Sequence, residues 1–295
     1  MSDAAPICSI CPRSSPLAPS GLFAVVYGLS HAETASWSNP VTVAFLGAGV
    51  ALLGAFVAIQ RRAAHPLLPL RVVLDRTRGG SFVAFAISAS GIFGVFLFLT
   101  YYLQQTLGYS PVRTGLAFLP MVAALMVTAT LATARLAPRF GSRPLVPAGM
   151  LLAAAGMFLL TRLGADSTYA GDILPALLPL GLGMGLIFAP SMSAATAGVA
   201  TSDAGVASAM VNTTQQVGGA VGTALLNTLF AAAISDYVAT HAGGAAAQAS
   251  AAISGYSTAF GWATGIFVAG AVITALILPS GTPAVAPELE VAFAH

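Results

Sequence analysis

The chain has 295 residues, of which 57% are hydrophobic and only 7% are Asp, Glu, Lys or Arg. Soluble domains carry roughly 25% charged residues, so nine acids and eleven bases cannot provide a polar surface for a body of this size. Composition therefore excludes a soluble enzyme, a nucleic-acid-binding protein and a disordered chain. It predicts an all-α polytopic membrane protein.

The chain begins with a polar, proline-containing stretch, residues 1–16, which is predicted to be an unstructured tail. Its single Cys-x-x-Cys, Cys8 and Cys11, has no second pair and no nearby His, so it indicates free thiols rather than a metal site. The apolar run Leu17–Ser30 follows and is only half to two-thirds as long as a membrane span. We interpret this run as a partial helix whose beginning is missing.

Seven uncharged apolar stretches are each long enough to cross the membrane, because a core of about 30 Å needs about 20 helical residues. They are Val41–Gln60, Gly80–Gln105, Thr114–Ala134, Pro144–Thr161, Ile173–Ala200, Ala204–Ser235 and Thr258–Pro279. The predicted organisation is therefore the tail, a partial span with one full span (17–60), a loop (61–79), a six-helix bundle (80–280) and a tail (281–295). The Ala-, Gly- and Ser-rich segment Asp236–Tyr256 is predicted to be a mobile external loop.

Arginine placement predicts the orientation of the spans. If the spans alternate in direction, nine arginines lie on one side of the membrane, and only Arg113 and Arg162 lie on the other. Cytoplasmic loops are enriched in positive charge. We therefore expect a multi-pass protein of the plasma membrane with both termini and the 61–79 loop in the cytoplasm. That loop is basic and amphipathic, which fits either a surface segment at the headgroups or a linker between separately packed helix groups.

The predicted spans contain no Asp, Glu, Lys, Arg or His. Ionisable residues within a membrane are costly and usually mark proton or ion pathways, so this chain offers no obvious proton carrier of its own. It also contains no metal-ligand cluster and no hydrolase or phosphate-loop motif. We expect it not to be an enzyme, and we predict no cofactor and no metal site.

Uncharged polar residues concentrate in the Ala204–Ser235 span. Asn212, Gln216 and Gly219 share one helix face. Gln215, Gly218 and Gly222 share a neighbouring face, on which the two glycines have a Gly-x-x-x-Gly spacing. An amide in the membrane must find a partner or line a wet cavity. Two interpretations remain open: inter-helix hydrogen bonding with tight packing, or the polar wall of a substrate path.

Further candidates lie in two other spans. Tyr101 and Gln104 are three residues apart and are predicted to share an inward face, whereas Tyr102 is typical of an interfacial aromatic belt. Phe93 and Met184 are candidate apolar walls of the same path, with plain packing as the alternative for both. The spacing Gly261-x-x-x-Gly265 in the last span predicts a close contact with another helix.

Four sequence blocks together resemble the C-terminal half of a major facilitator superfamily transporter, and specifically the fourteen-span drug:proton antiporter subfamily. They are YYLQQTLGYSPVRTGLAFLP (101–120), RLAPRFGSRP (135–144), GLGMGLIFAPSMSAA (181–195) and GVASAMVNTTQQVGGAVGTA (205–224). The resemblance covers residues 17–280. It implies a second six-helix bundle from Gly80 onward, preceded by spans similar to the two extra spans of that subfamily.

The resemblance also implies a function: proton-coupled efflux of a small hydrophobic or cationic molecule by alternating access. The family's loop motif, Gly-x-x-x-Asp-Arg-x-Gly-Arg-Arg, maps onto Arg139, Gly141 and Arg143, while Pro138 replaces its Asp. The implied partners are the lipid bilayer and a missing N-terminal half that carries the acidic residues. No nucleic-acid partner is expected. We interpret the chain as an N-terminally truncated transporter or one half of a split one; the alternative is a non-transporting fragment or assembly partner.

Overall fold

The computed structural model describes residues 16–35, 38–62, 75–196, 204–241 and 245–278. The predictions for residues 1–15 and 279–295, which include both tails and the Cys8–Cys11 pair, fall outside these described residues. The chain divides into two compact units, Met1–Leu74 and Asp75–His295. The boundary lies inside the segment predicted to be a basic loop.

The first unit is an antiparallel pair of helices, α1 (Leu17–Ala35) and α2 (Pro40–Arg62). Glycines bring the two helices close together. A Cβ on Gly21 would lie 2.9 Å from Leu53 Cγ, and a Cβ on Gly28 would lie 2.9 Å from Leu46 Cγ. The partial helix predicted from the sequence is thus present but runs to Ala35, and its apolar part is shorter than a full span.

The second unit contains eight further α-helices among its described residues. They are α3 (Arg76–Tyr101), α4 (Pro111–Ala117), α5 (Leu119–Leu131), α6 (Ala137–Phe140), α7 (Ser142–Leu160), α8 (Leu174–Thr196), α9 (Ala204–Thr240) and α10 (Ala245–Ile277). Single π-helical turns follow α3 and α5 and precede α8, at Tyr102–Thr106, Ala132–Leu136 and Tyr169–Ile173. Within the described ranges every regular element is helical.

Seven helical stretches of the described residues are long and apolar enough to cross a membrane. They are Pro40–Ile59, Arg76–Thr106, Pro111–Phe140, Ser142–Leu160, Tyr169–Thr196, Gly205–Thr240 and Ala247–Ile277. This confirms the predicted all-α polytopic membrane fold with seven full spans and one shorter apolar helix. Some of these helices include polar residues beyond the predicted apolar stretches. Helix α3 begins at Arg76 rather than Gly80, and α9 continues to Thr240 rather than Ser235.

Glycine contacts show how the helices of the second unit are arranged. Gly149 and Gly183 each lie against the other's carbonyl group, which joins the antiparallel helices α7 and α8 at backbone distance. Gly181 and Gly185 approach the carbonyl groups of Met121 and Leu125 on α5, which runs parallel to α8. Helix α8 is therefore held between α5 and α7.

Helix α3 packs against α8, α9 and α10. It runs parallel to α9, where Gly218 lies against Ala86 and Gly222 lies against Ser90, and antiparallel to α10, where the Phe267 ring fits over Gly91. These directions mean that the spans of this unit alternate. The start of α3, which carries Arg76, therefore lies at the same end of the unit as the π-helical turn after α5, which carries Arg135, and opposite the end that carries Arg113.

The core of the second unit is apolar and is shared by seven of its helices, α3, α4, α5, α7, α8, α9 and α10. Met184 is fully buried in this core, together with Met150, Met157 and Phe260. Met184 therefore packs within the bundle. Buried hydroxyls mostly donate to the carbonyl one turn earlier, as Thr274 does to Gly270 at 2.7 Å, so few polar groups in the described core lack a partner.

Hydroxyl groups fasten the helices together at the end that carries Arg113. Tyr102 Oη donates to the Gly164 carbonyl at 2.7 Å, Tyr169 Oη donates to the Ala117 carbonyl at 2.8 Å, and Ser257 Oγ donates to the Thr161 carbonyl at 2.9 Å. The sequence interpretation of Tyr102 as a belt residue is therefore wrong. Its ring continues the buried face of α3 and is fully enclosed.

Two other sequence predictions are wrong. The segment Asp236–Tyr256 is almost entirely helical rather than a mobile loop, because α9 continues to Thr240 and α10 begins at Ala245. Its many alanines favour helix, and this outweighs its glycines. The pair Gly261 and Gly265 does not mediate a helix contact among the described residues, since a Cβ on either would meet no atom within 4 Å.

Candidate functional site

An open groove of about 410 Å³ lies along one face of α3 in the second unit. It is lined by Phe93, Phe96, Leu97, Thr100 and Tyr101 of α3 and by Thr223 of α9. The five α3 residues recur at intervals of three and four, which places them on a single helix face. The opposite face of α3 carries Val95, Phe98 and Leu99 into the core.

Aromatic rings form most of the groove surface. Phe93 and Tyr101 are each 48% exposed, and the Phe96 ring packs against the ring of Phe118, with their centroids 4.7 Å apart. Phe93 lies across α9 at Gly219, where a Cβ would be 2.6 Å from Phe93 Cδ2. Because Gly219 has no side chain, the Phe93 ring can lie against α9 and form part of the groove wall.

A polar stripe on α9 continues from the groove. Asn212, Gln216 and Thr223 follow one another at helical spacing, and the first two are exposed. The Asn212 amide donates to the Ser208 carbonyl of its own helix at 3.2 Å. This hydrogen bond uses one amide hydrogen, so the side-chain oxygen remains able to accept a hydrogen bond from a ligand.

The groove wall carries no formal charge. Its polar groups are the hydroxyls of Thr100, Thr223 and Tyr101, and the side chains that flank it along α9 are neutral amides. Such a surface offers aromatic faces and neutral hydrogen bonds, which suit a largely apolar organic molecule. Among the described residues no group of His, Cys, Asp and Glu is placed to hold a metal ion.

The structure brings some of the predicted site residues together and separates others. Phe93 and Tyr101 both line the groove. Gln104 lies in the π-helical turn that follows α3 and is half-buried, and Gln215 is half-buried next to the stripe. Met184 is enclosed in the core and does not reach the groove.

Sequence reasoning missed four residues of the groove wall, namely Phe96, Leu97, Thr100 and Thr223. The helical period contained the necessary signal. Thr223 lies seven residues after Gln216 and therefore on the same face, and Phe96, Leu97 and Thr100 lie between the two predicted members on α3. By contrast, the spacing of residues along α3 cannot show that α9 is the helix that packs beside it, because this depends on the tertiary structure.

The predicted loop motif forms the turn between α6 and α7. Gly141 has φ 72° and ψ 179°, a backbone conformation that only glycine adopts readily, and its N–H donates to the Ala137 carbonyl at 2.9 Å. Arg139 and Arg143 are exposed on either side of it. The turn therefore keeps the second glycine and two of the three arginines of the family motif, while Ala134, Pro138 and Ser142 replace its first glycine, its Asp and one Arg.

The fold and the groove together define a class of protein. A bundle of closely packed apolar helices that alternate in direction and present an uncharged groove on one face defines a polytopic helical membrane protein. The comparison with protein families specifies this further. Residues 17–223 match the Major Facilitator Superfamily, and the chain belongs to that family.

Curated proteins similar to this chain are named for antibiotic resistance or export. The puromycin resistance protein pur8 of Streptomyces alboniger is 46% identical over 266 residues, which cover 90% of this chain and 53% of that protein. The cephamycin export protein CmcT of Amycolatopsis lactamdurans is 34% identical over 72% of this chain and 44% of its own length. The tetracenomycin C resistance and export protein of Streptomyces glaucescens is 32% identical, over 73% and 40% respectively. The chain thus spans about half the length of these relatives.

Proposed function

We propose that this chain forms the second-half portion of a drug exporter of the plasma membrane. The observation that carries the proposal is the groove on α3, whose aromatic and hydroxyl wall lies in a bundle related to named antibiotic exporters. Its volume of about 410 Å³ falls within the usual range for small-molecule sites, about 300–1,000 Å³. The substrate class is a hydrophobic or weakly cationic molecule with aromatic character.

In this proposal each groove residue contributes a neutral interaction. The rings of Phe93 and Tyr101 stack on the substrate, and Asn212, Gln215 and Gln216 supply hydrogen bonds as it passes. Gln104 lies at the end of the path nearest the outer side. The groove wall itself has no formal charge to desolvate and forms no tight ion pair with the substrate, which suits release as well as binding.

The complete machine in this proposal has a second bundle facing the groove and alternates access by rocking the two bundles. The proton gradient drives it through acidic residues of that other bundle, since the predicted spans of this chain contain none. The first unit, α1 and α2, corresponds to the two extra spans of the fourteen-span subfamily. Both termini lie in the cytoplasm, on the side of Arg135, Arg139 and Arg143.

The function is tested in a pump-deficient bacterial host that expresses this chain together with a matching first half from a relative. We expect resistance to aromatic antibiotics from the pair, and a loss of resistance when Phe93→Ala and Tyr101→Ala are combined. Trp262→Ala is the matched control, because Trp262 is also exposed (55%) but lies on α10, away from the groove. Equal loss from both variants would contradict the assignment of the groove.

Two further outcomes are informative. Resistance from this chain alone would contradict the proposal that coupling acids must come from another bundle. No resistance from any pairing, with both chains stably inserted, would favour the alternative that this chain is a non-transporting fragment or assembly partner.

The orientation is tested separately by cysteine labelling. In a background with Cys8→Ser and Cys11→Ser, we expect Asp236→Cys to react with an impermeant maleimide added to whole cells and Arg139→Cys to react only after lysis. Labelling of both from the same side would overturn the alternating arrangement.

A further inference from the structure

A cluster of arginines lies on the turn that joins the second and third spans of the second unit. The spans Pro111–Phe140 and Ser142–Leu160 meet at Gly141, so the turn is held at the surface of the membrane. We call residues 135–143 the basic turn. It contains the π-helical residue Arg135, the short helix α6 and the first residues of α7.

The basic turn carries three exposed positive charges, Arg135, Arg139 and Arg143. The sequence contains no carboxylate between Asp75 and Asp166. Among the described residues neither Arg135 nor Arg139 forms a salt bridge. The family motif has an acid where this chain has Pro138, so the turn lacks the carboxylate that would neutralise it from within.

Among the described residues of this unit, this end of the bundle carries five arginines (Arg76, Arg78, Arg135, Arg139 and Arg143) and one carboxylate, that of Asp75. The Asp75 carboxylate is engaged as the N-cap of α3, where it accepts hydrogen bonds from the N–H groups of Thr77 and Arg78, both at 3.1 Å. Asp203 lies outside the described residues. The basic turn therefore presents a net positive surface.

An apolar side chain stands in the middle of this positive surface. Phe140 lies directly after Arg139 and is 59% exposed, at the very end of its membrane span. The reversal at Gly141 follows it and starts α7 with Ser142 and Arg143. An exposed aromatic ring between cations at the membrane surface matches a ligand with a negative head and an acyl chain.

We propose that the basic turn is a binding site for an anionic phospholipid. The guanidinium groups of Arg135 and Arg139 contact the lipid phosphate, since guanidinium and phosphate form charge-assisted hydrogen bonds. Phe140 lies against the first carbons of the acyl chains. The apolar contact favours a lipid over soluble phosphate, because only a lipid offers the ring a hydrocarbon partner at that depth.

The site is tested on the full chain reconstituted in phosphatidylcholine vesicles that contain a photoactivatable phosphatidylglycerol. The readout is the amount of lipid adduct on the peptide that contains Phe140, measured against the mole fraction of the anionic lipid. We expect saturable labelling that a photoactivatable phosphatidylcholine does not reproduce. Each basic residue near an anionic surface contributes roughly a fivefold change in association, so Arg135→Gln with Arg139→Gln should raise the half-saturating fraction by roughly 25-fold.

The matched control removes two arginines from the opposite end of the bundle. Arg113 and Arg162 lie over the rings of Tyr109 and Phe158, at 3.8 Å and 5.2 Å from the ring centroids. Replacing both with Gln removes the same charge, and we expect labelling at the basic turn to stay unchanged. If the control pair weakens labelling as much as the Arg135–Arg139 pair does, the effect is one of overall charge and the proposed site is wrong.

Two more measurements distinguish a phospholipid site from a site for soluble anions. Phe140→Ser keeps every charge, and we expect it to reduce labelling by phosphatidylglycerol. Millimolar inorganic phosphate should not displace the lipid; displacement would identify a soluble-anion site and overturn the proposal. Unchanged labelling in the Arg135–Arg139 variant would also overturn it, and the folding of that variant is checked by comparing its thermal unfolding in detergent with that of the unchanged chain.

Discussion

The contact between α3 and α9 forms the side of the groove, and Gly218 is where it is closest. A Cβ placed on Gly218 would lie 2.6 Å from the Ala86 Cα and closer still to the Ala86 carbonyl oxygen. Both neighbours are backbone atoms and cannot rotate away. Gly218→Ala therefore requires the two helices to separate.

The separation can be estimated from these distances. Ordinary van der Waals contact begins at 3.4 Å, so the helices must move apart by at least about 0.8 Å, and a gap of that size forfeits a quarter to a half of the dispersion attraction along the contact. Overpacking in a close contact costs about 1–3 kcal/mol. At roughly 2–4 °C per kcal/mol for a unit of this size, the Tm should fall by about 2–12 °C.

The measurement is the Tm of the purified chain in detergent, obtained from its thermal unfolding curve. The matched control is Gly261→Ala, the same substitution on α10, where no atom lies within 4 Å of the added Cβ. Alanine favours helix over glycine by about 1 kcal/mol, so we expect the control Tm to stay equal or to rise. If Gly218→Ala is as stable as Gly261→Ala, then α3 and α9 are not in backbone contact and the groove wall has been misplaced.

Three further substitutions test single interactions, each by the change in the free energy of unfolding. Tyr102→Phe removes the hydrogen bond to the Gly164 carbonyl and should cost about 1–2 kcal/mol, with Tyr101→Phe unaffected as its exposed neighbour. Asp75→Ala removes the N-cap of α3 and should cost about 1 kcal/mol, whereas Asp75→Asn should retain most of it. Gly141→Ala forces an L side chain into positive φ and should cost about 1–3 kcal/mol, and an unchanged stability would show that the turn has another conformation.

The sequence predicts the spans well because membrane insertion depends on composition over about 20 residues, which a local pattern captures. It fails where the outcome depends on which helix lies opposite. Gly218 and Gly261 both belong to close-packing patterns, yet only Gly218 meets a neighbour. A small-residue pattern indicates that a helix can be approached, and the topology decides whether it is.

In the candidate site, too, local patterns predict some residues correctly and fail where the position of a neighbouring helix decides the outcome. Phe93 and Tyr101 are predicted from residue type and helical face, and both line the groove. Met184 is also a candidate because its side chain is apolar, but it faces the core, because α8 is enclosed between α5 and α7. Tyr102 differs from Tyr101 by one position, and that single step of about 100° moves its ring from the groove side to the interior.

The placement of α10 bears on how the bundle is made. Among the described helices it is the last to leave the ribosome, yet it packs against α3 and α7, which are synthesised much earlier. Its Phe267 ring covers Gly91, and Ser257 secures the carbonyl group at Thr161. Until α10 has been synthesised, the surfaces of α3 and α7 that it covers remain exposed to lipid or to the insertion machinery. Ribosome stalling anywhere before Ala245 would therefore leave an incompletely packed product for quality-control proteases.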